Sequence, residues 1–176
     1  AVPGGTTPGP IFDLLSAARQ LDWARVRVML TDERWVPEGH AQSNTTLVKE
    51  RLLTGPAAQA QFVPFYQDGK SAEHGCAMVA PTLAPHFPLS VLVLGMGADM
   101  HTASLFPGAE GVEAAVAPDA PALCPIRAAG QDIARVPLPA HLLARALVKP
   151  LVIFGVANRD ALERAQDLPP QQAPVA

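Results

Sequence analysis

Apolar residues along this chain form short runs and alternating patterns that predict strands separated by amphipathic helices. Val26, Val28 and Leu30 alternate with polar residues and predict a strand over 25–30, whereas the apolar run at 89–95 predicts a buried central strand. Helical spacing is present at 10–20, 43–53, 71–85, 140–147 and 158–165, and extended segments are predicted at 62–65, 123–126, 133–138 and 151–155. Because strands alternate with helices over short loops, we predict an α/β fold with a mostly parallel sheet, helices on both faces and a single domain over residues 1–176.

The composition limits which binding partners and which cellular compartment are expected for this chain. The 176 residues include 16 acidic and 13 basic side chains without a run of Lys or Arg, so neither nucleic acid nor an anionic membrane is an expected partner. The apolar runs are far shorter than the roughly 20 residues of a membrane span, and no signal-peptide pattern opens the sequence. Cys76 and Cys124 lack CxxC spacing, and the five histidines lack metal-ligand spacing. We therefore expect a cytoplasmic, metal-free domain with reduced cysteines.

The segment 91–108 contains the strongest candidate chemistry. The apolar run ends in Gly95-Met-Gly97, and Asp99 and His101 follow two residues apart. Open parallel sheets bind ligands at the carboxyl ends of their strands, and the two glycines are expected to let the backbone approach a ligand closely. A neighbouring Asp holds an imidazole in one tautomer and raises its basicity. Ser104 lacks a GxSxG context and is interpreted as structural.

Two further polar clusters point to an anionic small molecule. Gly4-Gly-Thr-Thr-Pro8 lies in a predicted loop just ahead of a helix, where amides, hydroxyls and the helix N-terminus favour an anion. Asp32-Glu33-Arg34 follows a predicted strand, and a guanidinium suits phosphate or carboxylate. A plain turn and a solvated strand end are the alternatives for these two clusters. Ser43 or Asn44 is expected to cap the helix that comes next.

Together these motifs, in this order, resemble the 6-phosphogluconolactonase family. The three main motifs are Gly4-Gly-Thr-Thr-Pro8, Asp32-Glu-Arg34 with Val36-Pro37 and Ser43-Asn44, and Gly95-Met-Gly-x-Asp-x-His-Thr-Ala-Ser-Leu-Phe-Pro-Gly108. Two shorter segments are also similar to the family: Asp22-Trp23, and Arg135 ahead of Pro137-Leu-Pro139. The resemblance implies a Rossmann-like three-layer α/β/α sandwich, shared with glucosamine-6-phosphate deaminase. It also implies hydrolysis of 6-phospho-D-glucono-1,5-lactone to 6-phosphogluconate in the oxidative pentose phosphate pathway, without a metal or cofactor. Relative to the family, the sequence lacks an N-terminal strand and helix and a C-terminal strand, so the single domain is expected to be shortened at both ends.

The same resemblance implies roles for individual residues. His101 is the general base that activates water for attack on the lactone carbonyl, with Asp99 and Asp32 beside it in the catalytic set. Binding of the sugar phosphate, and of its 6-phosphate above all, involves the opening loop, an asparagine and three arginines: Gly4, Gly5, Thr6, Thr7, Arg34, Asn44, Arg135 and Arg159. The implied partner is a small sugar phosphate, bound by a monomer or a weak homo-oligomer.

Two departures from the family pattern keep a second hypothesis open. Met100 stands where the family has Gly, at a turn that favours positive φ or a close approach of substrate. Asn158 stands where the family has a phosphate-binding Lys, one residue before Arg159. A catalytically impaired sugar-phosphate-binding domain is therefore the alternative. A deaminase-like isomerase is less favoured, because the deaminases have Asn-Glu-Pro where this chain has Leu105-Phe106-Pro107.

Overall fold

Short strands and helices alternate along the chain in the computed structural model, which describes residues 1–175. The strands are β1 (Arg27–Met29), β2 (Asp32–Arg34), β3 (Gln61–Val63), β4 (Leu94–Gly95), β5 (Arg135–Pro137) and β6 (Leu151–Val152). The α-helices are α1 (Gly9–Ser16), α2 (Asn44–Arg51), α3 (Ala72–Leu83), α4 (Val112–Val116), α5 (Ala140–Ala144) and α6 (Val156–Ala165). Short 3-10 helices cover Trp23–Arg25, Gly55–Gln59 and Ala84–His86. The α/β class predicted from the sequence is confirmed.

Two parallel strand pairs form the centre of the fold. β1 pairs with β3, and β4 pairs with β6. The first two residues join the pairs, because Val2 forms a parallel bridge with Leu30 and the Ala1 carbonyl accepts a 3.0 Å hydrogen bond from the Val93 amide. Residues 1–2, predicted to be part of a loop, therefore occupy a strand position between β1 and β4.

The third strand pair is antiparallel and lies at the site described below. β2 pairs with β5 in a register that sets Asp32 opposite Pro137 and Arg34 opposite Arg135. The segment 32–34, predicted to be the polar end of a strand, is thus a strand of its own. Since alternate residues of a strand point to opposite faces, Asp32 and Arg34 share one face and Glu33 points to the other.

Several elements are shorter than predicted, for local reasons. The predicted helix 10–20 ends at Ser16, and the Ala18 carbonyl accepts a 2.8 Å bond from the Trp23 indole instead of from a helical amide. The predicted strand 89–95 is regular only over β4. The amides of Leu92 and Leu94 still donate to the carbonyls of Val148 and Pro150. Because Pro150 has no N–H, it cannot donate a hydrogen bond back to this segment, and the regular hydrogen-bond ladder is interrupted there.

The core is aliphatic and packs both strand pairs against the helices. Its largest fully buried side chains include Phe12, Phe65, Leu30, Leu92, Leu105, Ile126 and Leu138. The helix predicted at 71–85 is α3, and its Cys76, Val79 and Leu83 are buried as expected. Ser43 caps α2 as predicted, since its Oγ accepts the Thr46 amide at 3.2 Å. None of the helices in residues 1–175 has the length and apolar character needed to cross a bilayer.

Candidate active site

A cavity of about 220 Å³ lies at the carboxyl end of β4, where the opening loop, β2, β5 and the segment after β4 meet. The lining residues are Pro3, Gly4, Gly5, Thr7, Pro8, Asp32, Arg34, Asn44, Val93, Leu94, Gly95, Met96, Gly97, His101, Ala103, Ser104, Phe106, Arg135 and Val152. Most of the site residues predicted from the sequence therefore come together here.

His101 is held by Asp99 through one ring nitrogen. Its Nδ1 lies 2.6 Å from Asp99 Oδ1, and the same carboxylate oxygen accepts the His101 amide at 3.3 Å. Partial burial raises the pKa of Asp99, but the hydrogen bonds and charge of His101 outweigh this effect and leave the pKa below its ordinary value. The carboxylate therefore stays charged beside the imidazole.

Gly97 makes room for this pair. A Cβ at position 97 would lie 2.4 Å from both Asp99 Oδ1 and His101 Nδ1, distances at which the pair would have to move. The sequence predicts that this glycine admits a ligand, whereas in the structure it accommodates the Asp99–His101 pair. Gly95 fits the original expectation better, since it lines the cavity and has open space around its Cβ position.

Phe106 covers one face of the imidazole. The rings of His101 and Phe106 have centroids 4.4 Å apart and are tilted by 36°, and the Arg135 guanidinium lies 5.9 Å from the Phe106 centroid. Among the described residues no hydrogen bond engages His101 Nε2. With Nδ1 on Asp99 and a face on Phe106, Nε2 is the ring nitrogen available to a molecule in the cavity.

The turn that carries His101 is strained in three places. Met100, Ala103 and Ser104 have φ values of 68°, 49° and 59°, which cost energy for residues with a Cβ. The positive φ predicted for Met100 is confirmed, but its side chain does not line the cavity, so the expected crowding of a substrate is not seen. The strain at Ala103 and Ser104 was not foreseen, because neither residue type indicates a left-handed turn.

Asp32 ties this turn to β2. Its carboxylate is nearly buried, accepts a hydrogen bond from the Ser104 hydroxyl, and accepts another from Thr31 Oγ1 at 2.9 Å. A second anchor comes from Thr102, whose hydroxyl donates to the Gly95 carbonyl at 2.8 Å. The Ser104 hydroxyl is thus hydrogen-bonded to the Asp32 carboxylate. Asp32 both lines the cavity and holds the turn that carries His101.

Arg34 is braced by the start of α2. Its Nη1 donates to the Gln42 carbonyl at 2.7 Å and to Asn44 Oδ1 at 2.9 Å, while Asn44 Nδ2 donates to the Asp32 carbonyl at 2.9 Å. The Arg34 Nε is buried and has no hydrogen-bond partner among residues 1–175. Gly4 allows this packing, since a Cβ there would lie 1.9 Å from Asn44 Oδ1.

Arg135 brings a second guanidinium to the cavity opposite Arg34. Its Nε and Nη2 donate to Gln131 Oε1 at 3.1 and 2.7 Å. Burial, followed by the charge of Arg34, lowers the pKa of Arg135 from its ordinary value. Like charges set opposite one another in a strand pair repel, and an anion in the cavity would relieve that repulsion.

The opening loop supplies further donors. In the described range the amides of residues 4–7 donate to no protein acceptor, and Gly5 has a φ of 84° that suits glycine. The N-terminus of α1 adds less than expected, because Pro8 is its N-cap and Pro10 lies in its first turn, and neither has an N–H. Thr6 is exposed and is not part of the cavity wall, unlike Gly4, Gly5 and Thr7.

Arg159 does not reach the cavity. Its guanidinium is largely exposed and lies 3.0 Å from Asp160 and 3.7 Å from Glu163. Asn158, at the position of the family's Lys, donates to the Phe154 carbonyl at 3.1 Å. The prediction that Arg159 contacts the phosphate is therefore not supported by its position.

Glu33 has a structural role near the site that the sequence pattern did not predict. It was treated as part of a solvated or ligand-binding strand end, yet its side chain is fully buried and accepts five hydrogen bonds. The strand alternation of Asp32 and Arg34 was the available signal, because it turns the residue between them inward.

Across residues 1–175, no group of three or more His, Cys, Asp or Glu side chains is arranged to hold a metal ion.

The fold and the cavity define an α/β domain that brings an Asp-supported imidazole and two guanidiniums to one small-molecule site. The chain belongs to the glucosamine-6-phosphate isomerase/6-phosphogluconolactonase family, whose model matches residues 1–176. A 6-phosphogluconolactonase of Pseudomonas aeruginosa is 43% identical in an alignment 171 residues long that covers 93% of this chain and 69% of that protein. One from Rhizobium meliloti is 41% identical in an alignment 168 residues long that covers 94% of this chain and 72% of that protein. The crystal structure of a 6-phosphogluconolactonase from Shewanella baltica has a TM-score of 0.91 at 32% identity and matches 99% of this chain and 75% of its own.

Proposed function

We propose that this chain hydrolyses 6-phospho-D-glucono-1,5-lactone to 6-phosphogluconate, a step of the oxidative pentose phosphate pathway. The observation that carries the proposal is that His101, paired with Asp99 at 2.6 Å, lines the same cavity as two guanidiniums. Relatives at 41–43% identity bear the name of this activity. The high similarity to solved 6-phosphogluconolactonases also supports the finer fold description, a Rossmann-like three-layer sandwich.

His101 would move the proton in both halves of the reaction. Its Nε2 takes a proton from water while the water oxygen attacks C1 of the lactone, and a tetrahedral oxyanion forms. When the bond from C1 to the ring oxygen breaks, the same proton passes to that oxygen, which becomes a hydroxyl, and the carboxylate product forms with release of one proton. Asp99 stabilises the intervening imidazolium, and such acid–base catalysis contributes about 10²–10⁴-fold in rate.

The developing oxyanion needs donors, and two sets line the cavity. Ala103 and Ser104 are nearly buried, and in the described part of the chain their amides donate to no protein acceptor. Buried amides without a partner are rare in folded proteins, so a ligand or solvent oxygen in the cavity is their expected acceptor. Arg135 adds a positive charge to the same cavity.

The 6-phosphate would bind at the opening loop beside Arg34. Gly4, Gly5 and Thr7 of the opening loop line the same cavity as the braced guanidinium of Arg34, and in the described part of the chain their amides donate to no protein acceptor. Fixing this remote group holds the lactone carbonyl at His101, which converts binding energy into orientation. Arg159, exposed on α6, is not part of this proposal.

The experiment measures release of 6-phosphogluconate from freshly generated lactone, with the spontaneous reaction subtracted. Turnover above the spontaneous rate supports the proposal, and its absence supports a sugar-phosphate-binding domain without catalysis. Glucosamine-6-phosphate offered in parallel should release no ammonia, because Phe106 lies over His101 where the deaminases have a Glu. Steady ammonia release would instead assign the deaminase-like activity.

A further inference from the structure

We propose that Glu33 is a positioning residue that sets the affinity of the site for phosphate by holding the start of α2 against β2 and thereby aiming Arg34. The inference rests on the proposed phosphate contact of Arg34 and adds the residue that organises it. Glu33 itself points away from the cavity and touches no ligand.

The Glu33 carboxylate joins two elements of the site. Its Oε1 accepts the amides of Arg34 at 2.7 Å and Asn44 at 2.8 Å. Its Oε2 accepts the amide and hydroxyl of Thr45 at 2.8 and 2.7 Å and the Ser43 hydroxyl at 3.3 Å. All five donors are uncharged, and within residues 1–175 no Lys or Arg forms a salt bridge with this fully buried carboxylate. The carboxylate oxygens are therefore satisfied by uncharged donors, most of them from the start of α2.

Asn44 transmits this arrangement to Arg34. Because Glu33 fixes the Asn44 backbone amide, the Asn44 side chain can accept from Arg34 Nη1 at 2.9 Å and donate to the Asp32 carbonyl at 2.9 Å. Glu33 thus holds the backbone of Arg34 directly and its guanidinium through Asn44. The absence of a Cβ at Gly4 leaves the space that the Asn44 side-chain amide occupies.

An amide cannot replace this carboxylate. Glu33→Gln keeps the size of the side chain but turns one acceptor oxygen into an NH₂ group that faces donors. The start of α2 then loses its anchor on β2, and Asn44 no longer fixes the guanidinium. A loss of about tenfold in phosphate affinity is expected, the order of one misplaced charge-assisted hydrogen bond.

The test is a double-mutant cycle read by calorimetric binding of inorganic phosphate to the folded protein. Glu33→Gln and Arg34→Ala should each weaken binding, and the double variant should bind no more weakly than Arg34→Ala alone, because Glu33 acts through Arg34. Val79→Ala, a core substitution in α3 away from the cavity, controls for lost stability. It should lower the melting temperature and leave phosphate affinity unchanged.

Two results would overturn the inference. The first is that the two substitutions weaken phosphate binding additively in the double variant, and the second is that Glu33→Gln or Arg34→Ala leaves phosphate affinity unchanged. If Glu33→Gln does not fold, Thr45→Val takes its place in the cycle, since it removes one donor and keeps the carboxylate. Thr45→Val is then expected to weaken phosphate binding by less than Glu33→Gln would, and to have no effect on binding when Arg34→Ala is already present. Unchanged phosphate affinity in Thr45→Val, or a further loss of affinity in the double variant, would overturn the inference. Lactone turnover is measured separately. A non-additive cycle in a protein without turnover would refute the proposed function and leave the role of Glu33 standing.

Discussion

Gly97→Ala is expected to disable the proton-transfer pair without removing any functional group. The added Cβ would lie 2.4 Å from Asp99 Oδ1 and His101 Nδ1 and 2.5 Å from His101 Cε1, whereas ordinary contacts begin near 3.4 Å. The imidazole and the carboxylate must therefore move by roughly 1 Å. A displacement of that size at a reacting group lowers the rate by about 10²-fold. We expect kcat for lactone hydrolysis to fall by that order while binding of 6-phosphogluconate changes little, because the phosphate donors lie on other elements.

Gly95→Ala is the matched control for this experiment. It adds the same methyl group two residues earlier, at a position where no atom lies within 4 Å of the Cβ. Because Gly95 lines the cavity, any effect should fall on KM, with kcat reduced by less than about tenfold. Both variants are measured over a full substrate range after subtraction of spontaneous hydrolysis. Equal kcat values for Gly97→Ala and the wild type would refute the tight packing of the Asp99–His101 pair.

Three further predictions follow from individual positions. Met100→Gly should raise the free energy of unfolding by roughly 1 kcal/mol in urea denaturation, because φ is 68° there, and should leave kcat nearly unchanged; a loss of stability would contradict the strain. Burial raises the pKa of Cys76 to about 12 and that of Cys124 to about 11, so neither thiol should react with a disulfide reagent at pH 8 until the protein is denatured, and rapid native labelling would contradict this. Arg34→Ala should raise KM by tenfold or more, whereas Arg159→Ala should not, and the reverse result would place the phosphate elsewhere.

The parts of the fold that were predictable are those fixed by local periodicity. The helical spacing of Cys76, Val79 and Leu83 predicts α3, and the Ser43 cap predicts the start of α2. Strand limits were less predictable, because a ladder depends on distant partners. The segment 89–95 is interrupted where Pro150 cannot donate, and residues 1–2 join the sheet only through Leu30 and Val93.

The site was predictable where function requires particular residue types in one segment. The residue types of single segments indicate Asp99, His101 and Arg34, whereas Asn44 is implied as a site residue only by the family resemblance; His101, Arg34 and Asn44 line the cavity. The place of Arg159 was less predictable, because one residue of displacement on a helix turns a side chain by roughly 100°, and Arg159 does not line the cavity. Glu33 was missed, since five hydrogen bonds to one carboxylate come from three residues of a later helix start and one neighbour, a convergence that a linear pattern does not reveal.

The most direct measurement is the steady-state rate of lactone hydrolysis by His101→Ala beside His74→Ala, which alters an exposed histidine on α3. We expect His101→Ala to lose about 10²–10⁴-fold in kcat and to keep its affinity for 6-phosphogluconate, while His74→Ala behaves as the wild type. Near-normal turnover by His101→Ala would contradict the assignment of His101 as the group that moves the proton.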